Sequence, residues 1–236
     1  MERLELLYEG KAKRVFRTES EDLLILEFTD VATAFNGKKK GNIADKGAIN
    51  NEMSVYLFNT LEDLEIPTHF VQKLGDREML VKRVEIIPIE VVMRNIVAGS
   101  LSKRLGISEG FELETPVLEF YYKSDELGDP IINEYHIMAM KLASKMEMKK
   151  IKDLAFKINT CLINEFSKAG LKLVDFKLEF GRYKGQIILA DEISPDTCRL
   201  WDMKTNEKFD KDRFRRDLGD VEDAYKEALK RLLGGR

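Results

Sequence analysis

Over most of the first 85 residues, apolar positions come in short alternating runs, broken once by a stretch with helical spacing. Residues 4–10 and 14–18 read as two strands joined across Gly10-Lys11-Ala12-Lys13, and 23–28 as a third. The polar, lysine-rich stretch 36–46, with Gly37 and Gly41 inside it and Gly47 at its edge, reads as a mobile loop. Ile49, Met53, Leu57, Leu61 and Leu64 then mark one face of a helix ending near Glu65, and Pro67 stops it. Two more strands are predicted at 69–73 and 79–84.

A domain boundary is expected near 84–88. Beyond it, 89–95 alternates as a strand and 101–105 is a short helix closed by Gly106. The span 106–130 looks irregular apart from an apolar, aromatic stretch at 117–122. Helices follow near 134–146 and 151–169, the second with a stripe of Ile151, Leu154, Ala155, Ile158, Leu162 and Phe166 and a stop at Gly170. Cys161 borders that stripe and reads as a packing residue. Residues 171–181 and 186–192 are predicted to form a hairpin. A last helix starts at Asp220, whose carboxylate can cap it.

Composition narrows the function classes. The chain has 236 residues, 44% hydrophobic and 34% charged, as in ordinary globular proteins. Its 39 basic and 42 acidic residues give a net charge of −3, so no basic field points to nucleic acid as partner. No segment approaches the roughly 20 apolar residues that cross a bilayer, and the first residues lack the apolar core of a signal peptide. A cytoplasmic location is the expectation. Cys161 and Cys198 form no C-x-x-C, and His69 and His136 are the only histidines. Chemistry by thiolate or imidazole is therefore not expected.

Four segments carry candidate chemistry. In Leu173-Val174-Asp175-Phe176-Lys177-Leu178-Glu179-Phe180-Gly181, strand alternation sends Val174, Phe176, Leu178 and Phe180 to the core and aligns Asp175, Lys177 and Glu179 on the other face. A solvated sheet face would give the same pattern. The next strand, Gln186–Glu192, is apolar until it ends in two acids. With Tyr183-Lys184-Gly185 as a three-residue loop, Arg182 faces Gln186, Lys177 faces Asp191, and Glu179 and Asp191 become diagonal neighbours able to share a hard cation. An even-length loop would send Asp191 to the opposite face.

The second segment is Pro88–Ser100. It groups Glu90, Val92 and Arg94 on one strand face and runs into a helix with Ser100 as the expected N-cap. Free N–H groups there, with the Arg94 fork, suit a phosphate. A plain capped helix with a surface ion pair fits the spacing equally. In the third, Tyr8-Glu9-Gly10-Lys11-Ala12-Lys13, two lysines two apart can meet nucleotide phosphates, although Gly-Lys pairs also decorate ordinary hairpins. The fourth is a polar turn after Ala190-Asp191-Glu192 that brings Arg199 and Trp201, the latter read as core or an interdomain contact.

Taken together and in order, these segments resemble the SAICAR synthetase family. IIPIEVVMRNIVAGS at 86–100 and LVDFKLEFG at 173–181 resemble its two signatures. YEGKAK at 8–13, FTDVATAFNGKKKG at 28–41, GDPIINE at 128–134, LADEISPDTCRLWD at 189–202 and DKDRFRRDLG at 210–219 are similar to further family segments. The likeness spans essentially the whole chain. It departs at Val31, where an acid is expected, and over 136–148.

The resemblance implies an α+β fold with two domains. Residues 1–85 would be an antiparallel β domain related to the nucleotide lobe of ATP-grasp enzymes and kinases. Residues 86–236 would be an α+β substrate- and metal-binding domain, with ATP in the cleft between them and a homodimer as the assembly. The implied reaction is an ATP- and Mg²⁺-dependent ligation of L-aspartate to the carboxylate of 5-aminoimidazole-4-carboxylate ribonucleotide (CAIR) through an acyl phosphate. A carboxylate cannot form an amide directly, because oxide does not leave; phosphorylation supplies a leaving group, and the protein must supply positioning and charge neutralisation.

Roles follow on that basis. Glu179 and Asp191 hold Mg²⁺. Lys11, Ala12 and Lys13 meet the ATP phosphates, and Lys82 lies on the strand entering the nucleotide cleft. Arg94, Ser100 and Arg199 bind the ribonucleotide phosphate. Lys177 neutralises charge at the reacting carboxylate, where Arg94 and Asp175 are the other catalytic candidates. Asp175 and Asp129 orient polar groups of the substrate, and Lys123 and Arg215 are further anion contacts. A small-molecule kinase on the same scaffold and a nucleotide-binding module without chemistry are the competing expectations.

Overall fold

The computed structural model describes residues 2–34 and 37–234. Strands β1 (Leu6–Glu9), β2 (Lys13–Arg17), β3 (Leu23–Phe28), β6 (Phe70–Lys73) and β7 (Glu78–Lys82) form an antiparallel sheet in the order β1-β2-β3-β7-β6. Between β3 and β6 lie a small ladder of β4 (Val31–Ala34) with β5 (Lys39–Asn42), then helix α1 (Lys46–Asp63). The expected mobile loop at 36–46 is thus largely a strand and its turn; its first residue, Asn36, lies outside the described residues. The ladder seats Gly41 against Phe214, where a Cβ would come within 2.9 Å of the ring.

The second sheet is built on β8 (Glu85–Ile96), β9 (Glu112–Tyr122), β10 (Ile131–Ile132), β11 (Leu171–Tyr183), β12 (Gln186–Ala190) and β13 (Cys198–Asp202). Its order is β10-β9-β8-β11-β12, and β13 also pairs with β11. One edge of β11 is covered by β8. The other is shared, by β13 along Leu171–Phe176 and by β12 along Glu179–Tyr183. The pairing changes at Lys177, whose N–H donates to the carbonyl of Thr197 in the crossing loop.

Helices α2 (Gly99–Leu105), α3 (Glu134–Ala139), α4 (Lys145–Lys168), α5 (Asp212–Arg215) and α6 (Val221–Leu232) complete the chain. The helix expected at 134–146 ends after α3, and α4 starts earlier than the stripe alone predicts. Ser144 and Glu147 form a reciprocal capping box that begins α4, and Asn133 and His136 do the same for α3. The apolar, aromatic stretch expected at 117–122 is the second half of β9, which begins at Glu112 within the span expected to be irregular. Asp220 precedes α6 as expected, but at φ 47° it makes no side-chain cap.

One apolar cluster runs through both sheets. It includes Phe28, Phe58 and Met79 on one side and Val91, Phe176 and Leu178 on the other, along with the α4 stripe and Cys161. Trp201 is buried in a smaller cluster. The sheets are also stitched directly: the His69 N–H donates to the Leu189 carbonyl at 2.8 Å, and the Leu189 N–H donates to that of Pro67 at 2.9 Å. Among the described residues, no helix is long and apolar enough to cross a membrane.

Candidate active site

A cleft of about 430 Å³ lies where the sheets face each other, a size suited to a small molecule. One end is apolar, walled by Val15, Leu24, Leu26 and Val81 of the first sheet and by Val84 and Ile86. The other end is ionic and is lined by Lys11, Ala12, Lys13, Lys82, Lys123, Asp129, Lys177, Glu179 and Asp191. The fourteen sequence candidates thus divide: these nine, and a separate group of five, Arg94, Ser100, Asp175, Arg199 and Arg215, that lies outside the cleft lining.

The ionic end centres on Lys177. Its ammonium lies 2.7 Å from Glu179 Oε1, 3.1 Å from Asp191 Oδ2 and 3.5 Å from Glu90 Oε1. Lys13 pairs with Asp191 and, at 2.9 Å, with Glu192 Oε1; Lys123 pairs with Glu179. Register puts Glu90 directly opposite Glu179 on neighbouring strands, a repulsive pair that the Lys177 ammonium between them offsets. Burial opposes the charge on Lys177, but Asp191, Glu179 and Glu90 outweigh it and hold the ammonium well above the usual lysine range. Lys13 behaves likewise through Asp191 and Glu192. Burial raises the Asp191 carboxyl, yet Lys13 and Lys177 prevail and hold it well below the usual carboxylate range. Glu90 goes the other way, raised by burial with Lys177 opposing.

The hairpin behind this cluster differs from the expected one. Tyr183 pairs with Gln186, leaving the two-residue loop Lys184-Gly185, and Arg182 faces Ile187 rather than Gln186. Glu179 therefore faces Ala190, and simple alternation would turn Asp191 away. The chain avoids this by leaving β12 at Ala190 and placing Asp191 in the left-handed region, φ 65°. That single conformation returns the carboxylate to Lys177, so the carboxylate pair forms by a different route from the diagonal one.

The donor set fits a hard divalent cation. Oxygens from Glu179 and Asp191 already converge on one positive centre, the Lys177 ammonium. Among the described residues no group of three or more acids, histidines or cysteines could cage a metal alone. A site with two carboxylates suits Mg²⁺, which completes its shell with water and phosphate oxygens.

The rest of the cleft lining is tethered. Lys11 reaches Asp125, and Lys82 donates to the Thr68 carbonyl at 2.8 Å. Asp129, at φ 50°, accepts the Ser124 N–H. Lys11 and Lys13 both turn to the cleft but serve different acids. Buried His69 also lines it; burial, with Asp191 opposing, pushes its imidazole down to about 3, and its Nε2 has no partner.

The second group of candidates sits on the same face of β8, β11 and β13. Arg94, Asp175 and Arg199 are directly opposite one another across the three strands. Arg94 donates to Asp175 Oδ2 at 2.8 Å, to Glu119 Oε2 at 2.7 Å, to Ser100 Oγ at 3.0 Å and to the Tyr121 hydroxyl at 3.2 Å. Its side chain is 4% exposed. The expectation of a guanidinium fork open to phosphate is therefore corrected: those donors are spent on protein acceptors. Ser100 is corrected too. Ala98 holds the N-cap position, no side chain caps α2, and the Ser100 hydroxyl instead accepts from Arg94 and Arg104.

Arg199 and Arg215 are more available. Arg199 donates through Nη1 to both oxygens of Asp175 and through Nε to Asp212, while its Nη2 rests against Gly99. A Cβ on Gly99 would lie 2.6 Å from that nitrogen, and the residue has φ 56°, so both space and backbone require glycine. Arg215 shares Asp212 and is 31% exposed. Sequence reasoning missed Glu192, Asp196, Lys211, Glu119 and Asp212. Glu192 was visible as the second acid ending its strand. Asp196, Lys211 and Asp212 lie on segments with no periodicity to orient them, and Glu119 is the one acid inside the apolar, aromatic stretch 117–122.

The family model described as SAICAR synthetase matches residues 6–232. A phosphoribosylaminoimidazole-succinocarboxamide synthase of Thermoanaerobacter sp. (strain X514) is 60% identical over 234 residues, covering 99% of this chain and 100% of that protein. A crystal structure of the synthase named the same way from Ehrlichia chaffeensis superposes with a TM-score of 0.96 at 49% identity, covering 97% of this chain and 98% of that one. A SAICAR synthetase solved in complex with ADP gives a TM-score of 0.94 at 51% identity, with 98% of each chain covered.

Proposed function

The chain belongs to the SAICAR synthetase family, and on that premise we propose how its two side-chain clusters divide the work of the family's reaction. That reaction is the ATP-dependent ligation of L-aspartate to CAIR in purine biosynthesis. The apolar end of the cleft takes the adenine, and residues 1–85 supply most of the nucleotide contacts. Lys11, Lys13 and Lys123 meet the phosphates, with the Ala12 backbone beside them and Lys82 at the cleft entrance. Glu179 and Asp191 hold Mg²⁺, which when bound neutralises phosphate charge. Arg199 and Arg215, within residues 86–236, meet the ribonucleotide phosphate; Arg94, bonded to Ser100, supports Arg199 through Asp175, and Asp175 and Asp129 orient the substrate.

The observation that carries this division is Lys177. It stands between the carboxylate pair and the strand face that bears Asp175 and Arg199. In the proposed reaction, a carboxylate oxygen of CAIR takes the γ-phosphoryl group and ADP leaves. The aspartate amine then attacks the acyl carbon, and phosphate departs with that oxygen. Lys177, fixed in its charged form, offsets negative charge where carboxylate and phosphoryl group meet. The relation of the first sheet to ATP-grasp and kinase lobes, a homodimeric assembly and a cytoplasmic location complete the reading and rest on family resemblance.

A coupled assay of ADP release tests it. Release should require CAIR and aspartate together with a divalent cation. Full-rate release with CAIR alone would favour a small-molecule kinase, and nucleotide binding without turnover a binding module.

A further inference from the structure

Seven side chains alternate in charge across the second cluster: Arg215, Asp212, Arg199, Asp175, Arg94, Glu119 and Arg104. The middle of the chain is buried and both ends reach solvent. Asp212 occupies a distinctive link. Its Oδ2 accepts from Arg199 Nε at 2.9 Å and its Oδ1 from Arg215 Nη1 at 2.7 Å, so each oxygen is committed to a different arginine. Its own backbone is pinned as well. The Asp212 N–H donates to Asp210 Oδ1 at 2.7 Å, and the other Asp210 oxygen accepts from Leu200 N–H at 2.8 Å, which fastens α5 to β13.

We infer that Asp212 is a positioning residue for the ribonucleotide phosphate: it holds Arg199 and Arg215 side by side and leaves their outer N–H donors directed at one anion. The inference rests on the assignment of those two arginines in the proposed function. Two guanidiniums this close repel, and each long side chain has many rotamers to lose. A carboxylate between them offsets the repulsion and fixes both before substrate arrives, so less ordering cost falls on binding. Asp212 uses one N–H of each arginine. Among the described residues, Arg199 Nη2 and the Nε and Nη2 of Arg215 take no protein acceptor, and these remain for phosphate oxygens. Burial raises the Asp212 carboxyl, but Arg199 and Arg215 prevail and hold it well below the usual carboxylate range.

Asp212→Asn tests this in the full-length enzyme. The amide keeps the shape but turns one acceptor into a donor facing a guanidinium. The KM for CAIR should rise roughly tenfold to hundredfold, the worth of a charge-assisted contact. The KM for ATP and kcat should stay within about twofold, because the loss concerns binding of a remote group. Equal rises in the KM for CAIR, ATP and aspartate, or no rise for CAIR, would overturn the inference. If Asp212→Asn does not fold, Asp212→Glu keeps the charge but displaces the carboxylate by one methylene; it too should raise the KM for CAIR alone, and a wild-type value would overturn the inference. Arg199→Lys separates the two levels. If it spares CAIR and weakens ATP, the phosphate assignment itself has failed; if it weakens CAIR while the Asp212 variants do not, only the positioning role has.

Discussion

The Lys177 ammonium lies 3.1 Å from Oδ2 of Asp191 because the backbone of Asp191 is left-handed. The strand before it runs in a register that would aim this side chain away, and one reversed φ brings it back. Asparagine and aspartate tolerate that conformation better than other side chains with a Cβ, so the position limits both charge and backbone.

Asp191→Asn and Glu179→Gln keep shape and remove charge from the carboxylate pair. Both variants should fold, and ADP formation should fall roughly hundredfold or more, the scale of losing a principal electrostatic contact in a water-poor site. Circular dichroism beside the ADP assay checks this. A folded variant with wild-type turnover would remove that residue from the metal site.

Arg94→Lys should first be a stability defect. Lysine cannot make the fork that serves Asp175, Glu119, Ser100 and Tyr121 together. Leaving buried carboxylates short of a partner costs about 3–5 kcal/mol, read as a lower urea midpoint. An unchanged midpoint with only a raised KM for CAIR would restore Arg94 as a direct phosphate ligand.

The double variant Cys161→Ser, Cys198→Ser should remain active. Burial pushes both thiols up, Cys198 the further, so neither is a ready thiolate. Burying two hydroxyls instead should cost about 1–3 kcal/mol each, seen in melting. A folded variant with no ADP release would count against the acyl-phosphate route.

Acid sensitivity should trace partly to His69. Its imidazole is pushed down to about 3 in the native protein from the ordinary 6.5, by burial first, with Asp191 opposing. Between those values the unfolded chain binds the proton and the native one does not. Stability is thus complete above 6.5 and falls as pH drops through the window, by up to about 1.4 kcal/mol per pH unit. Urea melts at about pH 7.5 and about pH 5.5 should show the loss in the wild type and a smaller one in His69→Gln. Glu109 and Glu147, held down to about 2 chiefly by hydrogen bonds from Arg216 and Arg182, act only at lower pH. Equal losses in both proteins would clear His69.

Alternation made the core and the polar face of β11 legible, since Asp175, Lys177 and Glu179 needed only a period of two to align. It also grouped Glu90 with Arg94. What it could not show was which strands lie beside which. Arg94 looked like an open fork because its partners, Glu119 and Asp175, come from residues 25 and 81 positions away. The turn at Lys184-Gly185 was misread by one residue, an error that reverses every later side chain, and only the kink at Asp191 preserved the pairing. Asp212 sits on a four-residue helix too short to carry a periodic signal.

The alternating charges around Asp175 bear on how this site can change over generations. Replacing one interior link, for example Glu119, would leave Arg94 and Arg104 facing each other with no carboxylate between them. The lesion is not confined to the altered residue, because each ion there is the counter-ion of two others. Solitary drift at these positions is closed, and descendants that differ here should differ by compensated pairs, an acid and a base exchanged or lost together. A lineage carrying a single neutral replacement in the middle of the row, with stability intact, would show that water can take the place of a link.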